Sequence, residues 1–90
     1  MKIVTVCGMG IGTSVLLKMN AEKALRSLGV DADVEAADIG TARGAARTAN
    51  LVLTSADLVE ELGEVPATVV VINNFTSVDE VTQKISAALE

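Results

Sequence analysis

The segment from Ile3 to Leu28 limits the possible folds most. Ile3-Val4-Thr5-Val6 is a short β-branched run of the kind found in buried strands. Cys7-Gly8-Met9-Gly10-Ile11-Gly12-Thr13-Ser14 follows it directly and reads as a glycine-rich turn. From about Thr13 to Leu28 the periodicity is helical. Leu17, Ala21, Ala24 and Leu28 recur at spacings of four, three and four and share one face. Lys18, Glu22 and Arg26 lie on another face at i, i+4 spacing, where they can support one another weakly. Gly29 ends the pattern, where a left-handed residue is favoured.

The rest of the chain repeats this alternation. Asp31 to Asp38 alternates polar and apolar residues and predicts a second strand, at an edge, where acidic side chains discourage stray pairing. Gly40 to Arg47 reads equally as a short helix or a long loop. Leu51-Val52-Leu53 is a third buried strand. Ser55 can cap a short helix through Leu62, and Gly63 stops it. After Pro66, Thr68 to Ile72 is a fourth β-branched strand. Ser77-Val78-Asp79-Glu80 fits a capping box. Val81, Ile85, Ala88 and Leu89 give the last helix its apolar stripe. Strands that alternate with helices predict an α/β fold, a four-stranded parallel sheet with helices on both faces. Crossovers should be right-handed. A flavodoxin-like, Rossmann-like order of 2-1-3-4 would put the end of the first strand at the topological switch point, where such sheets bind ligands.

Composition narrows the function. Ninety residues fit one domain, 1–90, with no linker or repeat visible. Such a domain buries roughly 60–65% of its unfolded surface. Its core must be aliphatic, because Phe75 is the one aromatic residue. The net charge of −5 argues against a nucleic-acid partner, which calls for clustered Lys and Arg or for stacking aromatics. One cysteine cannot make an internal disulfide or a Cys-rich metal site. The lack of histidine excludes most zinc and non-haem iron sites and any histidine base within the chain. No metal or cofactor is therefore expected. A single cysteine suits a reducing compartment. No apolar run approaches the roughly 20 residues that span a bilayer, and Met1-Lys2-Ile3-Val4 lacks a signal-peptide layout. The expected location is the cytoplasm.

The chemistry is concentrated in the glycine loop. Glycine permits positive φ and lets a ligand approach the backbone closely. Successive amides in such a loop can converge on an anion, and a helix N-terminus adds unpaired N–H groups and partial positive charge. Gly8, Met9, Gly10, Ile11, Gly12, Thr13 and Ser14 therefore form a candidate phosphate cradle that needs no Lys or Arg. Cys7 sits at its mouth. A thiol near a helix N-terminus can have its pKa lowered to about 3.5–7.5, and the thiolate is a nucleophile. A free cysteine at a strand end is otherwise a small buried hydrophobe; the adjoining loop and helix favour the nucleophile.

Other loop patterns fit less well. The P-loop requires Gly, four residues, then Gly-Lys-Ser/Thr, which is absent. The dinucleotide fingerprint is Gly-x-Gly-x-x-Gly, whereas Gly8, Gly10 and Gly12 give Gly-x-Gly-x-Gly. The Cys-x5-Arg signature of tyrosine phosphatases can be laid over the loop, but Thr13 falls where the arginine should clamp the phosphoryl group. Asp57 and Asp79 are candidate acids for a phosphatase by position, although each also suits the first turn of a helix. Without the arginine a thiophosphate should hydrolyse slowly. That property serves a carrier and cripples a phosphatase.

A strand, then Cys-Gly-x-Gly-x-Gly-Thr/Ser-Ser, then a helix bearing Leu17-Lys18-Met19, resembles the enzyme IIB component of the bacterial phosphotransferase system (PTS), in particular the ascorbate branch of the lactose/ascorbate/galactitol type. The resemblance implies that Cys7 accepts a phosphoryl group from a phosphohistidine on a IIA protein. It also implies that Cys7 passes the group to a sugar or sugar acid, L-ascorbate in that branch, held by a membrane IIC protein. The alternatives are a small cysteine phosphatase and a non-catalytic IIB-like regulatory module. Arg43 and Arg47 lie four apart and could reach the mouth of the site, or form a solvated surface. Asn73-Asn74-Phe75 could line the same crevice, or serve as a turn with Phe75 covering the core. Glu60, Glu61 and Glu64 read as solvated helix surface.

Overall fold

Eight elements alternate in order: β1 (Lys2–Cys7), α1 (Ile11–Leu28), β2 (Asp33–Asp38), α2 (Ile39–Ala46), β3 (Leu51–Thr54), α3 (Ala56–Leu62), β4 (Thr68–Val71) and α4 (Val78–Leu89). The computed structural model describes residues 1–7 and 11–89, and the side chains of these apart from residues 7 and 11–14. The strands form one parallel sheet in the order β2-β1-β3-β4, as the alternation predicts. The chain leaves β1 toward β2, then crosses back to β3, so the switch point lies between β1 and β3.

Strand alternation divides the core into two layers. Ile3, Leu51, Leu53, Val70 and Ile72 face α1 and α4, where they meet Leu17, Ala21, Ala24, Val81 and Ile85. Val4, Val6 and Val52 face α2 and α3, where they meet Ala42, Ala46 and Leu62. Each fully buried Leu, Ile or Val contributes about 1.5–3 kcal/mol relative to an exposed one.

Gly40 to Arg47, undecided in sequence, lies mostly within a helix. Asp38 ends β2 and also caps α2: its Oδ1 accepts the Thr41 N–H (2.9 Å) and the Thr41 hydroxyl (3.1 Å). Gly40 and Gly44 cost this helix about 1 kcal/mol each against Ala. Packing of Ala42 and Ala46 against the sheet offsets that cost.

Four local expectations need correction. Helix α1 opens at Ile11, so residues 11 and 12 belong to its first turn and not to the preceding loop. Ser55 occupies the N-cap of α3 but its side chain makes no capping bond; the turn closes instead through the Leu58 N–H to the Ser55 carbonyl (3.1 Å). The capping box of α4 is only half formed. Ser77 Oγ accepts the Glu80 N–H (3.2 Å), but the Ser77 N–H donates to the Asn74 carbonyl (3.1 Å), which leaves the Glu80 carboxylate free to turn elsewhere. Lys18, Glu22 and Arg26 form no ion pair; the pairs among the described residues are Lys2–Glu35 (3.3 Å) and Lys84–Glu80 (2.7 Å). Long exposed side chains gain little by pairing in water.

Thr54 closes β3 with its hydroxyl fully buried and without a hydrogen-bond partner among the described residues. It shares the face of Val52, in the apolar layer under α2 and α3. A buried unpaired hydroxyl costs about 1–3 kcal/mol. Thr54→Val, which keeps the shape, is expected to stabilise the fold by about 1 kcal/mol and to raise Tm by roughly 4–8 °C in a thermal melt. A lower Tm would mean that the hydroxyl has a partner in solution.

Candidate functional site

All four strands run the same way, so their C-terminal ends share one rim. Cys7 is the last residue of β1 and pairs with Asp38 of β2. The Thr5–Leu53 pairing places Ser55, two residues on, level with Cys7 on the other side. The Thr54–Val71 pairing then puts Ile72 level with both. Cys7 therefore ends a strand flanked on either side, at the switch point of the sheet.

Four residues after Cys7, α1 begins. Of the predicted cradle, Ile11, Gly12, Thr13 and Ser14 form the first turn of this helix, whose amides have no partner within the helix. No acidic residue lies in that turn, so nothing there opposes an anion. Gly8, Met9 and Gly10, and the side chains of Cys7 and of residues 11–14, lie outside the described residues.

Asp38, the pairing partner of Cys7, was not singled out from sequence. Only the register brings it to the rim, and its carboxylate is occupied by the cap of α2. Asp57 and Asp79 lie in the first turns of α3 and α4, as their positions suggested. Both are exposed.

The arginines are elsewhere. Arg43 Nε donates to the Leu62 carbonyl at the end of α3 (2.8 Å), a use common for cations at helix C-termini. Arg43, Gly44 and Arg47 line a concavity of about 540 Å³ with Glu64, Val65 and Pro66, just before β4 begins. That is the N-terminal edge of the sheet, away from Cys7. The two arginines thus do not reach the mouth of the site. Arg26 lies in the last turn of α1, about 22 Å along the helix from its start. None of the three arginines stands where a phosphatase would need one.

Asn73, Asn74 and Phe75 do lie at the rim, and the structure separates their roles. Phe75 is half-buried against the α1/α4 layer. Asn74 Oδ1 accepts the Thr76 N–H (3.0 Å) and hydroxyl (2.6 Å), closing a turn. Asn73 is exposed. The Glu80 carboxylate accepts both backbone amides, from Asn73 (2.7 Å) and Asn74 (2.9 Å), and an N–H of Lys84 (2.7 Å). Lys84 also donates to the Val71 carbonyl (2.7 Å). Asn20, buried on α1, donates through Nδ2 to the Phe75 carbonyl and ties the same loop to the helix that follows the glycines.

The Lys84 ammonium, then the Asn73 amide, hold the Glu80 carboxyl at about 2 instead of 4.5; burial opposes them, by more than the Asn74 amide adds. The stability this contributes is complete above the unfolded value and is lost as pH falls from 4.5 toward 2. Glu80→Gln is expected to flatten the fall of Tm across that window. Parallel acid limbs for the two proteins would show that Glu80 is not clamped in solution.

Comparison with known proteins adds two findings. Residues 2–87 match the family described as PTS system, Lactose/Cellobiose specific IIB subunit. The chain is also 34% identical over 88 residues to a protein of Mycoplasma pneumoniae named the ascorbate-specific PTS system EIIB component, covering 97% of this chain and 93% of that one.

Proposed function

The chain belongs to the IIB family of the PTS, whose members are phosphotransferases, and on that premise we propose that it is a phosphoryl carrier with Cys7 as the carrying residue. The carrying observation is the placement of Cys7. It ends the central strand β1 at the switch point, four residues before a helix whose first turn holds amides and no carboxylate. A phosphoryl group on Cys7 would sit where such helix amides favour negative charge.

Two transfers balance. The Cys7 thiolate attacks phosphorus of the phosphohistidine on IIA; the N–P bond breaks and the S–P bond forms. A hydroxyl of the sugar held by IIC then attacks the same phosphorus. The S–P bond breaks, the thiolate returns, and the hydroxyl proton leaves to solvent. The Mycoplasma relative suggests L-ascorbate as the sugar. The chain works in the cytoplasm beside the membrane-embedded IIC, in keeping with the finding that no described helix is long and apolar enough to cross a membrane. The position of all three arginines away from the β1 rim favours a long-lived thiophosphate over a phosphatase.

The test is intact mass after incubation with phosphoenolpyruvate, the general PTS proteins and the cognate IIA. A gain of one phosphoryl group is expected. No gain, with IIA shown to be phosphorylated, would overturn the reading.

A further inference from the structure

Asn20 is a polar residue in the buried stripe of α1. It stands three residues after Leu17 and four before Ala24, at one edge of that stripe, and is 4% exposed. A buried side-chain amide needs a partner. Its Nδ2 donates to the Phe75 carbonyl, in the loop between β4 and α4. A leucine at this position would continue the stripe; the amide adds direction instead.

The bond joins two parts that are held differently. The loop has ties of its own. The Ile72 N–H donates to the Thr54 carbonyl (2.8 Å), the Glu80 carboxylate accepts the Asn73 and Asn74 amides, the Asn74 side chain accepts from Thr76, and Lys84 donates to the Val71 carbonyl. Helix α1 rests on the sheet and on α4 through Leu17, Ala21, Ala24 and Leu25. Apolar burial has no preferred direction. It presses the helix to the sheet, but it limits rotation and slide along the axis only through side-chain shape, and alanines offer little of that. The loop is therefore the fixed reference, and α1 is the part that Asn20 places.

What is placed includes the first turn. Ile11 lies nine residues before Asn20, about 14 Å along the axis. Helical backbone atoms lie about 2.3 Å from that axis, so a rotation of about 20° moves each amide by about 0.8 Å. An error near 1 Å, even one caused far from the reacting atoms, can slow a reaction by ~10²-fold.

We propose that Asn20 is a positioning residue for phosphoryl transfer: by holding the Phe75 carbonyl it fixes the rotation and axial position of α1, and so the aim of the first-turn amides at the phosphoryl group on Cys7. The inference rests on the carrier reading of Cys7. Asn20 is buried, so a partner protein does not touch it, and its loss acts on the chemical step and not on docking.

The experiment measures kcat and KM for phosphorylation by phosphorylated IIA in wild type, Asn20→Leu, Asn20→Ala and Asn20→Gln. Leu62→Ala, in the opposite core layer, controls for lost stability alone. Tm and the pH profile of iodoacetamide alkylation, which reads the chain's one cysteine, are followed in parallel. Asn20→Leu and Asn20→Ala are expected to lower kcat about tenfold and to leave KM within about twofold. Their alkylation profiles should move to higher pH by about half a unit, because misaimed amides stabilise the thiolate less. Asn20→Gln, which keeps the donating amide, should stay within about threefold of wild type in kcat. Leu62→Ala should lower Tm at least as far and leave kcat within about twofold. Unchanged kcat and alkylation profiles in Asn20→Leu and Asn20→Ala overturn the positioning role while the carrier reading stands. So does an equal loss of kcat in Leu62→Ala, or a loss in Asn20→Gln as large as in Asn20→Leu. Failure of wild type to gain a phosphoryl group from an active donor overturns the carrier reading itself.

Discussion

Cys7→Ser is expected to end phosphoryl transfer while the fold survives. A serine hydroxyl at neutral pH is a far weaker nucleophile than a thiolate, and the chain has no histidine to activate it. The rate should fall by more than ~10³-fold, as for removal of a nucleophile elsewhere. Serine is close to cysteine in size, and Cys7 ends β1 with its backbone paired to β2, so Tm should move by only a few degrees. The check is intact mass with active IIA, run beside a thermal melt. Equal phosphorylation of the variant would remove Cys7 from the mechanism. A collapsed Tm would make the loss uninformative, and Cys7→Ala would then be measured in its place.

Leu53→Ala should have the largest effect on stability. Leu53 lies in β3, between β1 and β4, and is fully buried against the α1/α4 layer. Its truncation removes three heavy atoms and leaves a cavity in a fully buried layer of the core. Such changes cost about 2–5 kcal/mol, out of roughly 5–13 kcal/mol for a domain of this length. Tm should fall by at least about 10 °C. Leu16→Ala, on the exposed face of α1, should shift stability by less than about 0.5 kcal/mol. Comparable losses at the two positions would contradict the assignment of the core.

Much of this arrangement was legible in the chain, for identifiable reasons. The strands at 3–6, 51–53 and 68–72 are short β-branched or aliphatic runs, and those are hard to mistake in a sheet covered on both faces. Gly29 and Gly63 stand where the helices stop, with φ of 71° and 69°. Helix α2 was ambiguous because Gly40 and Gly44 weaken its own propensity. Its cap, Asp38, already served as the end of a strand, and its stability comes from contacts with Val4, Val6 and Val52 that lie far off in sequence. The Ser77–Glu80 spacing disclosed a helix start, but the destination of the Glu80 carboxylate depended on how the loop from Ile72 turned back over it. Cys7 and its glycines stood out as a run of eight residues. Asp38, Asn20 and Glu80 did not, because each reaches the rim only through the register of the sheet or the packing of α1 against the β4–α4 loop.

The two layers of the core also differ in when they can exist. Every buried residue of the α2/α3 layer falls between Val4 and Ala67. The α1/α4 layer cannot close without Val81 and Ile85. During synthesis from the N-terminus, the first layer therefore has all its parts while the second still lacks the helix that covers it. Until α4 leaves the ribosome, Leu17, Ala21 and Ala24 on α1 have only the sheet to pack against. The helix that follows Cys7 therefore has its full packing only once the last helix of the chain has been made.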